Sequence, residues 1–346
     1  MHFPPWRGGA KRRGGSLFTG IPLLGGVAAG RGGWSVMKQA LFSLAAATGV
    51  FHVGRRFTAS SLRIFTFHGV QRCDDPVLNV DRLQVDPVLF EQQVAWIASR
   101  YRVIRGSDLV AAIRTGGAWP SRAALVTFDD GYANNLEVAA PILQRHGVPA
   151  VVFVSTGFVD GSERPWWYQA RALAAEAGVS PAEVLHREQA LVKQPRVVQR
   201  AEIDPSVASP FAFLRPERFP ACAAAGLEIG WHGHAHLACG VEQPEDLAKD
   251  LHRSAEAWRS WGIRPLPLFA YPYGSEPHAE HHDTVQAMLR AHGIAVAVTT
   301  RMGINPPGAD PWSLHRLDVN GGRSVANLDA ISSGWFGRAV PSSNQG

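Results

Sequence analysis

Residues 123–131 read Ala-Ala-Leu-Val-Thr-Phe-Asp-Asp-Gly, a short apolar run that ends in two carboxylates and a glycine. The apolar part predicts a buried β-strand, and a helix-like segment follows it. Side chains alternate between the faces of an extended chain, so Asp129 and Asp130 should point in different directions and perform different tasks. The alternative is a solvated turn that an aspartate caps and Gly131 closes. Residues about a hundred positions downstream decide between the two interpretations.

A repeated order of strand and helix surrounds this stretch from about residue 62 onward. β-rich or apolar runs predict strands at 62–67, 103–104, 123–128, 150–154, 227–231, 268–271, 294–299 and near 317–319. Predicted helices begin at Asp86-Pro87, with the aspartate as N-cap, and at Ser107, and further ones cover 136–146, 180–193, 244–261 and 278–292. Six or seven such units over about 260 residues predict an α/β fold, a distorted parallel (β/α)7-type barrel. A doubly wound open sheet is the alternative, although no Gly-x-Gly-x-x-Gly fingerprint follows an early strand.

Residues 160–215 interrupt this order and predict an insertion that covers or extends a binding cleft. The segment contains Trp166-Trp167-Tyr168 and a predicted helix that begins at Ser180-Pro181. Aromatic side chains at such a place either stack on sugar rings or pack the insertion against the domain.

Charge is distributed unevenly along the 346 residues, whose net charge is +5. The first 63 residues contain nine lysines and arginines and no acidic residue, so the remainder is slightly acidic. This distribution argues against a nucleic-acid-binding protein and favours contact between the basic end and an anionic membrane surface. The three cysteines are too few for a disulfide framework and are expected to be free thiols.

The N-terminal residues are expected to lie outside the folded domain. Residues 1–36 are interpreted as a disordered extension, and residues 37–61 as a membrane-surface helix or a linker. No apolar run reaches about 18 residues, so no ordinary transmembrane helix is predicted. The expected location is cytoplasmic or peripheral to the membrane, and a signal-like segment at 37–56 leaves export open.

Three histidines lie within five residues of the predicted strand 227–231, in the sequence Gly-Trp-His-Gly-His-Ala-His at 230–236. On an extended backbone all three would share one face, and on a helical turn only His232 and His236 would. Imidazole and carboxylate are preferred ligands of Zn²⁺, and a catalytic site needs three of them and an open position. One aspartate and two histidines meet that count. The alternative is a polar loop with incidental histidines.

Polar residues follow several of the predicted strands at the same end. His68 follows the first strand, Asp129 and Asp130 follow the third, and Tyr271 and Tyr273 follow residues 268–270. In β/α barrels the active site forms at the carboxyl ends of the strands. These residues and the histidine cluster are therefore expected to meet.

Together these motifs resemble the polysaccharide deacetylase family, which is built on the NodB homology domain. Its Thr-Phe-Asp-Asp-Gly motif matches residues 127–131, and its His-Ser/Thr-x-x-His motif matches residues 232–236, with Gly233 in place of the hydroxyl residue. The third motif keeps Pro-Tyr-Gly at 272–274 without its usual arginine, which is similar to the exopolysaccharide-biosynthesis branch. Segments 67–70, 298–303 and 314–319 are also similar to that branch. The resemblance covers about residues 37–325.

The resemblance implies a role for each motif residue. Asp130, His232 and His236 would hold a divalent metal, most often Zn²⁺ in relatives, and Asp129 would be the general base. The backbone N–H of Tyr273 would bind the oxyanion. His315 is the nearest candidate for the general acid, with a structural role as the alternative, and the role of His234 stays open. Substrate contacts are expected from His68, Tyr271 and Arg316.

The expected function is removal of N-acetyl groups from the amino sugars of a polysaccharide or oligosaccharide by a metal-dependent hydrolase, over a domain at 62–325 followed by a tail at 326–346. An O-acetyl esterase with the same site is one alternative. An inactive glycan-binding homologue is the other, favoured by Gly233 and by the missing motif arginine. The expected partner is an N-acetylated glycan, and the oligomeric state is not predicted.

Overall fold

Seven parallel strands close into a barrel in the computed structural model, which describes residues 49–195 and 211–334. In ring order they are β1 (Arg63–Phe67), β5 (Ala123–Phe128), β6 (Ala150–Val154), β7 (Leu227–Trp231), β8 (Leu268–Ala270), β9 (Val296–Met302) and β10 (Leu314–Asp318). β10 pairs with β1 and closes the ring. Three short strands lie outside it: β2 (Gly69–Val70) pairs with β3 (Gln84–Val85), and β4 (Arg102–Val103) pairs in parallel with the first residues of β5. The predicted (β/α)7-type barrel is confirmed.

Helices surround the ring in chain order. They are α1 (Val50–Phe57), α2 (Pro87–Arg100), α3 (Gly106–Thr115), α4 (Ala140–Arg145), α5 (Thr156–Asp160), α6 (Trp166–Glu176), α7 (Pro181–Leu191), α8 (Phe219–Ala224), α9 (Pro244–Ser260), α10 (His282–Ala291) and α11 (Val325–Ser332). A π-helical turn, Asn135–Ala139, leads into α4, and short 3₁₀ turns cover Pro216–Arg218, Pro272–Gly274 and Ala279–His281.

Strand alternation divides the apolar side chains into two layers. Leu125 and Val151 belong to a cluster with Ile64, whereas their neighbours Val126 and Val152 belong to the cluster that contains Phe90 of α2. Every residue of β5 and β6 is buried, as expected for parallel strands covered on both faces. The apolar run at 123–128 is therefore a barrel strand, and the turn interpretation of this stretch applies only to the residues beyond it.

Two helix starts show how local sequence sets the elements. The side chain of Asp86 accepts a hydrogen bond from the Val88 N–H at 2.9 Å, which confirms the predicted N-cap of α2. Ser107 does not cap α3. The N-cap is Arg105, whose N–H donates to the side chain of Asp108 at 3.0 Å.

The insertion contributes two helices, α6 and α7, and the helix predicted to begin at Ser180-Pro181 is confirmed, with Ser180 as its N-cap. Buried Arg171 of α6 ties them together, since its guanidinium donates to both carboxylate oxygens of Glu188 at 2.6 and 2.7 Å. The aromatic side chains of this region are largely buried among one another. They include Trp166, Trp167, Tyr168, Tyr132, Phe158 and Phe211. The aromatics therefore pack the insertion against the barrel.

Both ends of the described chain meet at β1. Buried Arg63 donates to the carbonyl of Ser332 at 3.1 Å and to the carbonyl of Thr58 at 2.6 Å, and Arg55 of α1 pairs with Asp329 of α11. α11 lies where the sequence suggested the beginning of a tail, and its start is capped by Ser324. The extension predicted at 1–36 lies outside the described residues, as do residues 37–48 of the predicted surface helix or linker.

No helix in the described ranges combines the length and the apolar character needed to cross a bilayer. Cys73, Cys222 and Cys239 are free thiols, as expected.

Candidate active site

A cleft of about 550 Å³ opens at the carboxyl ends of the barrel strands. The ends of β1, β5, β7 and β8 bring six of the predicted site residues to this cleft, and the insertion helices form one wall. The lining includes His68, Asp129, Asp130, His232, His236, Tyr273, Trp166, Trp167, Asp318 and Lys193. This is the position at which β/α barrels assemble their active sites.

Asp130, His232 and His236 converge at the floor of this cleft, although the aspartate lies 102 positions or more before the histidines (232 − 130). Asp130 Oδ1 lies 3.4 Å from His232 Nε2 and 3.3 Å from His236 Nε2, and all three side chains are buried. One ligand atom from each residue lies within 4.8 Å of the others. The sequence motifs thus form one compact group of donors.

The donors of this group fit a divalent metal such as Zn²⁺. The ring of His232 bonds through Nδ1 to the carbonyl of Ala270 at 2.8 Å, which leaves the lone pair of Nε2 directed at the group. Asp130 Oδ1 is buried and has no hydrogen-bond partner among the described residues. Burial opposes ionisation of Asp130, but the two imidazoles hold its pKa well below the usual range. One carboxylate and two imidazoles are the ligands of many catalytic zinc sites.

Three of the five described non-glycine residues with a positive φ lie at this site. Asp130, His236 and Tyr273 have φ angles of 74°, 57° and 56°, in the left-handed region that residues with a Cβ seldom adopt. Such conformations cost about 1–2 kcal/mol each, and folds that retain them do so mainly where function requires a particular orientation. The strain therefore supports a functional role for the floor of the cleft.

Asp129 is held by a buried ion pair with Arg316 of β10. The two terminal nitrogens of Arg316 donate to the two carboxylate oxygens at 2.7 Å each, and its Nε donates to the carbonyl of Thr299 at 2.6 Å. Burial opposes ionisation of Asp129, but Arg316, and to a smaller degree His232 and His68, lower its pKa below the usual value. The Asp129 carboxylate is therefore ionised at neutral pH and can accept a proton.

His234, whose role the sequence leaves open, belongs to the support of the loop. Its Nδ1 lies 2.9 Å from Thr156 Oγ1, and its Nε2 lies 3.3 Å from Ser162 Oγ. It is buried beneath the cleft and is not part of the donor group. The middle histidine therefore fixes the loop to the segment that follows β6.

Asp250 of α9 holds the loop where the motif lacks its hydroxyl residue. Its carboxylate accepts the N–H groups of His234 at 2.8 Å and of Ala235 at 2.7 Å. A Cβ at position 233, where φ is +73°, would lie 2.6 Å from Asp250 Oδ2, so the glycine makes room for the carboxylate. Burial raises the pKa of Asp250 to about 6, which leaves it ionised at neutral pH.

Replacing Asp250 by alanine is expected to lower the free energy of unfolding by about 2–4 kcal/mol, because two buried N–H groups lose their acceptor. Metal affinity should fall with it, since the loop carries both histidine donors. Thermal unfolding and metal titration would measure the two effects. Asp246→Ala, one turn earlier and exposed on the same helix, is the matched control and should change stability by less than about 0.5 kcal/mol. Equal behaviour of the two variants would contradict the role of Asp250.

Tyr273 connects the donor group to the insertion. Its ring centroid lies 4.3 Å from that of His236, and its hydroxyl accepts a hydrogen bond from Trp166 Nε1 at 3.0 Å. Trp167 lies against His236 as well, with 5.2 Å between ring centroids. The wall of the cleft is thus built from aromatic side chains that also pack the donors.

Three predicted site residues occupy other places than expected. His315 does not line the cleft, because it lies on the face of β10 opposite to Arg316, where its backbone bonds to Asn305. Tyr271 is fully buried in the apolar cluster outside the barrel, with its ring against Phe269. Arg316 faces Asp129 rather than the cleft. None of the three is placed to contact a substrate directly.

The sequence contained a signal for Asp250 that the motifs did not include. The buried positions of α9 are spaced by three or four residues, and an aspartate among them needs a partner in the interior. The position of Asp250 on that face therefore indicated a buried polar contact.

Comparison with known proteins agrees with this site. The family model for polysaccharide deacetylase matches residues 117–297, more than half of the chain. YxkH of Bacillus subtilis (strain 168), a candidate polysaccharide deacetylase, is 20% identical over 249 residues, which are 72% of this chain and 70% of YxkH.

Solved structures share the fold. Streptococcus pyogenes deacetylase PplD in complex with acetate is 18% identical with a TM-score of 0.57, and the match covers 80% of this chain and 99% of PplD. IcaB from Ammonifex degensii is 19% identical with a TM-score of 0.56, and the match covers 79% of this chain and 97% of IcaB. With the matched family model and the motifs at 127–131 and 232–236, the chain belongs to the polysaccharide deacetylase family.

Proposed function

We propose that this protein is a metal-dependent N-deacetylase that removes acetyl groups from the amino sugars of a polysaccharide or oligosaccharide. The observation that carries the proposal is the pairing of an ionised Asp129 with the adjacent group of three donors at the floor of one cleft. Hydrolysis of an amide needs both an activated water and a base beside it.

The residues divide the chemistry between them. A divalent metal held by Asp130, His232 and His236 would lower the pKa of a water and polarise the acetyl carbonyl. Asp129 accepts the proton of the attacking water at a carboxylate oxygen. That oxygen accepts a hydrogen bond from Arg316 and has a second lone pair for the proton. The backbone N–H of Tyr273, at the edge of the cleft, donates to the oxyanion.

The proton for the departing amine comes from the His68 side of the cleft. His68 Nε2 lies 3.9 Å from Asp129 Oδ2, and the ring lines the cleft, whereas His315 does not. A protonated His68 can therefore donate to the amine nitrogen, and the proton that Asp129 has taken from the water restores His68 once the two side chains come within hydrogen-bond distance. The resemblance to the family points instead to His315, which does not line the cleft.

An inactive homologue is less well supported than an enzyme. The two features that favoured it were Gly233 and the absence of the motif arginine. Asp250 holds the loop at Gly233, and Arg316 provides a buried guanidinium for Asp129. The loop and the proposed base are therefore both supported in this chain without the two missing groups.

Acetate release from a panel of N-acetylated oligosaccharides is expected, and chelator should abolish it. Adding back a divalent metal should restore it, because the three donors can bind the ion again. The same panel with O-acetylated sugars tests the esterase alternative. Preferential hydrolysis of the O-acetyl substrates, or release that is unaffected by chelator, would contradict the proposal.

A further inference from the structure

The opposite end of the barrel from the cleft carries an apolar stripe on α1 that no described residue covers. Val50, Val53 and Phe57 are 41%, 47% and 82% exposed, and they recur at the spacing of one helical face. The other face of the helix is fixed to the domain, because Phe51 and Gly54 are buried and Arg55 pairs with Asp329. The stripe is therefore held outward by a rigid support.

An arginine-rich groove lies beside this stripe. It has a volume of about 520 Å³ and is lined by His52, Arg55, Arg56, Arg100 and Arg122, together with small residues. None of the described residues that line it is acidic. Arg56 and Arg122 are exposed and form no ion pair with any described residue. Arginines left without counter-charges in one concave surface indicate an anionic partner.

We propose that α1 and this groove dock the protein on the surface of an anionic phospholipid bilayer. A bilayer presents phosphate groups to the arginines and an apolar boundary to the stripe at the same time, which matches the two features that lie side by side. A small soluble anion would fill the groove and leave Phe57 exposed. Residues 1–48, which precede α1, contain six more lysines and arginines and no acidic residue, so their charge has the same sign.

The geometry also sets the orientation of the docked protein. Arg122 immediately precedes β5 and Asp129 immediately follows it, so the length of one strand, about 20 Å, separates the two ends. The groove lies at the start of the strands and the cleft at their end. A protein docked through α1 would therefore present its cleft away from the lipid.

The full chain is tested by co-sedimentation with vesicles of phosphatidylcholine, with and without phosphatidylglycerol. Wild-type protein should bind the anionic vesicles, and added salt should weaken the binding. The double variant Arg56→Gln, Arg122→Gln should bind anionic vesicles more weakly, by about fivefold for each arginine removed. Phe57→Ser should lose about tenfold or more through the lost apolar burial.

The matched controls make similar substitutions at exposed positions outside α1 and the groove. Arg259→Gln on α9 and Val88→Ser on α2, where the valine is 67% exposed, should bind vesicles as the wild type does. Acetate release from a soluble substrate should be the same in all variants, because none lines the cleft.

Several outcomes would overturn the docking proposal while leaving the proposed function intact. One is binding of the groove and stripe variants to anionic vesicles at wild-type affinity. Another is stabilisation by inorganic phosphate without any vesicle binding, which indicates a small-anion site. A third is a concentration-dependent dimer that Phe57→Ser dissociates, seen by sedimentation, in a protein that does not bind vesicles. That result would indicate that a second copy of the chain covers the stripe.

Discussion

Replacing Asp129 by asparagine is expected to lower the rate of acetate release by about 10²–10⁴-fold while the protein keeps its metal. General base catalysis accounts for a factor of this size, and an amide cannot accept the proton. The donors Asp130, His232 and His236 are untouched by the change, so metal content should remain that of the wild type. Steady-state rates and metal analysis on the same preparation provide the measurement.

The stability of this variant must be measured with its rate. Asparagine offers only one oxygen to Arg316, so one buried hydrogen bond to a charged group is lost, at a cost of about 1.5–3 kcal/mol. Asp283→Asn, a fully exposed position on α10, is the control for the same chemical change. Wild-type turnover by a folded, metal-loaded Asp129→Asn protein would remove Asp129 from the role of base.

Alanine at Asp130 or at His232 is expected to abolish both metal binding and acetate release. Each change leaves only two protein donors, too few to hold a divalent ion against a chelating buffer. The effect should be seen in metal content by elemental analysis, at concentrations where the wild type binds one ion per chain.

His234→Ala is the informative control for the ligand variants. It lies two residues from each histidine donor, yet its ring bonds to Thr156 and Ser162 rather than to the donor group. This variant should lose stability and retain its metal. Loss of metal from His234→Ala with unchanged thermal stability would instead place His234 among the ligands.

The sequence predicted the barrel and its site because both depend on local patterns. Each strand is a short apolar run of the expected length, and the residues that matter follow directly after strand ends. The parallel ring then brings these ends together, so Asp130 meets His232 without any signal that links the two positions in sequence. The barrel and the meeting of these residues therefore follow from strand order, whereas the assignment of Asp130, His232 and His236 as ligands rests on the resemblance to the family.

The contacts that sequence could not predict depend on register. His315 and Arg316 are neighbours, and on a strand only one of them can face the barrel interior. The register between β10 and β9 shifts between Leu314 and Arg316. The side chains of β10 that face the interior could therefore not be predicted from those of β9 either. Asp250 shows a second limit, because its partners are backbone N–H groups of a loop with left-handed residues.

The ion pair between Asp129 and Arg316 spans 187 residues and joins the second strand of the ring to the last. A ribosome releases the aspartate long before it releases the arginine. Until β10 is made and inserted between β9 and β1, the aspartate lacks the charge that keeps it ionised when buried. The protein should therefore hydrolyse its substrate only after the final strand closes the ring. Incomplete chains should be inactive, and activity should appear when folding of the barrel is complete.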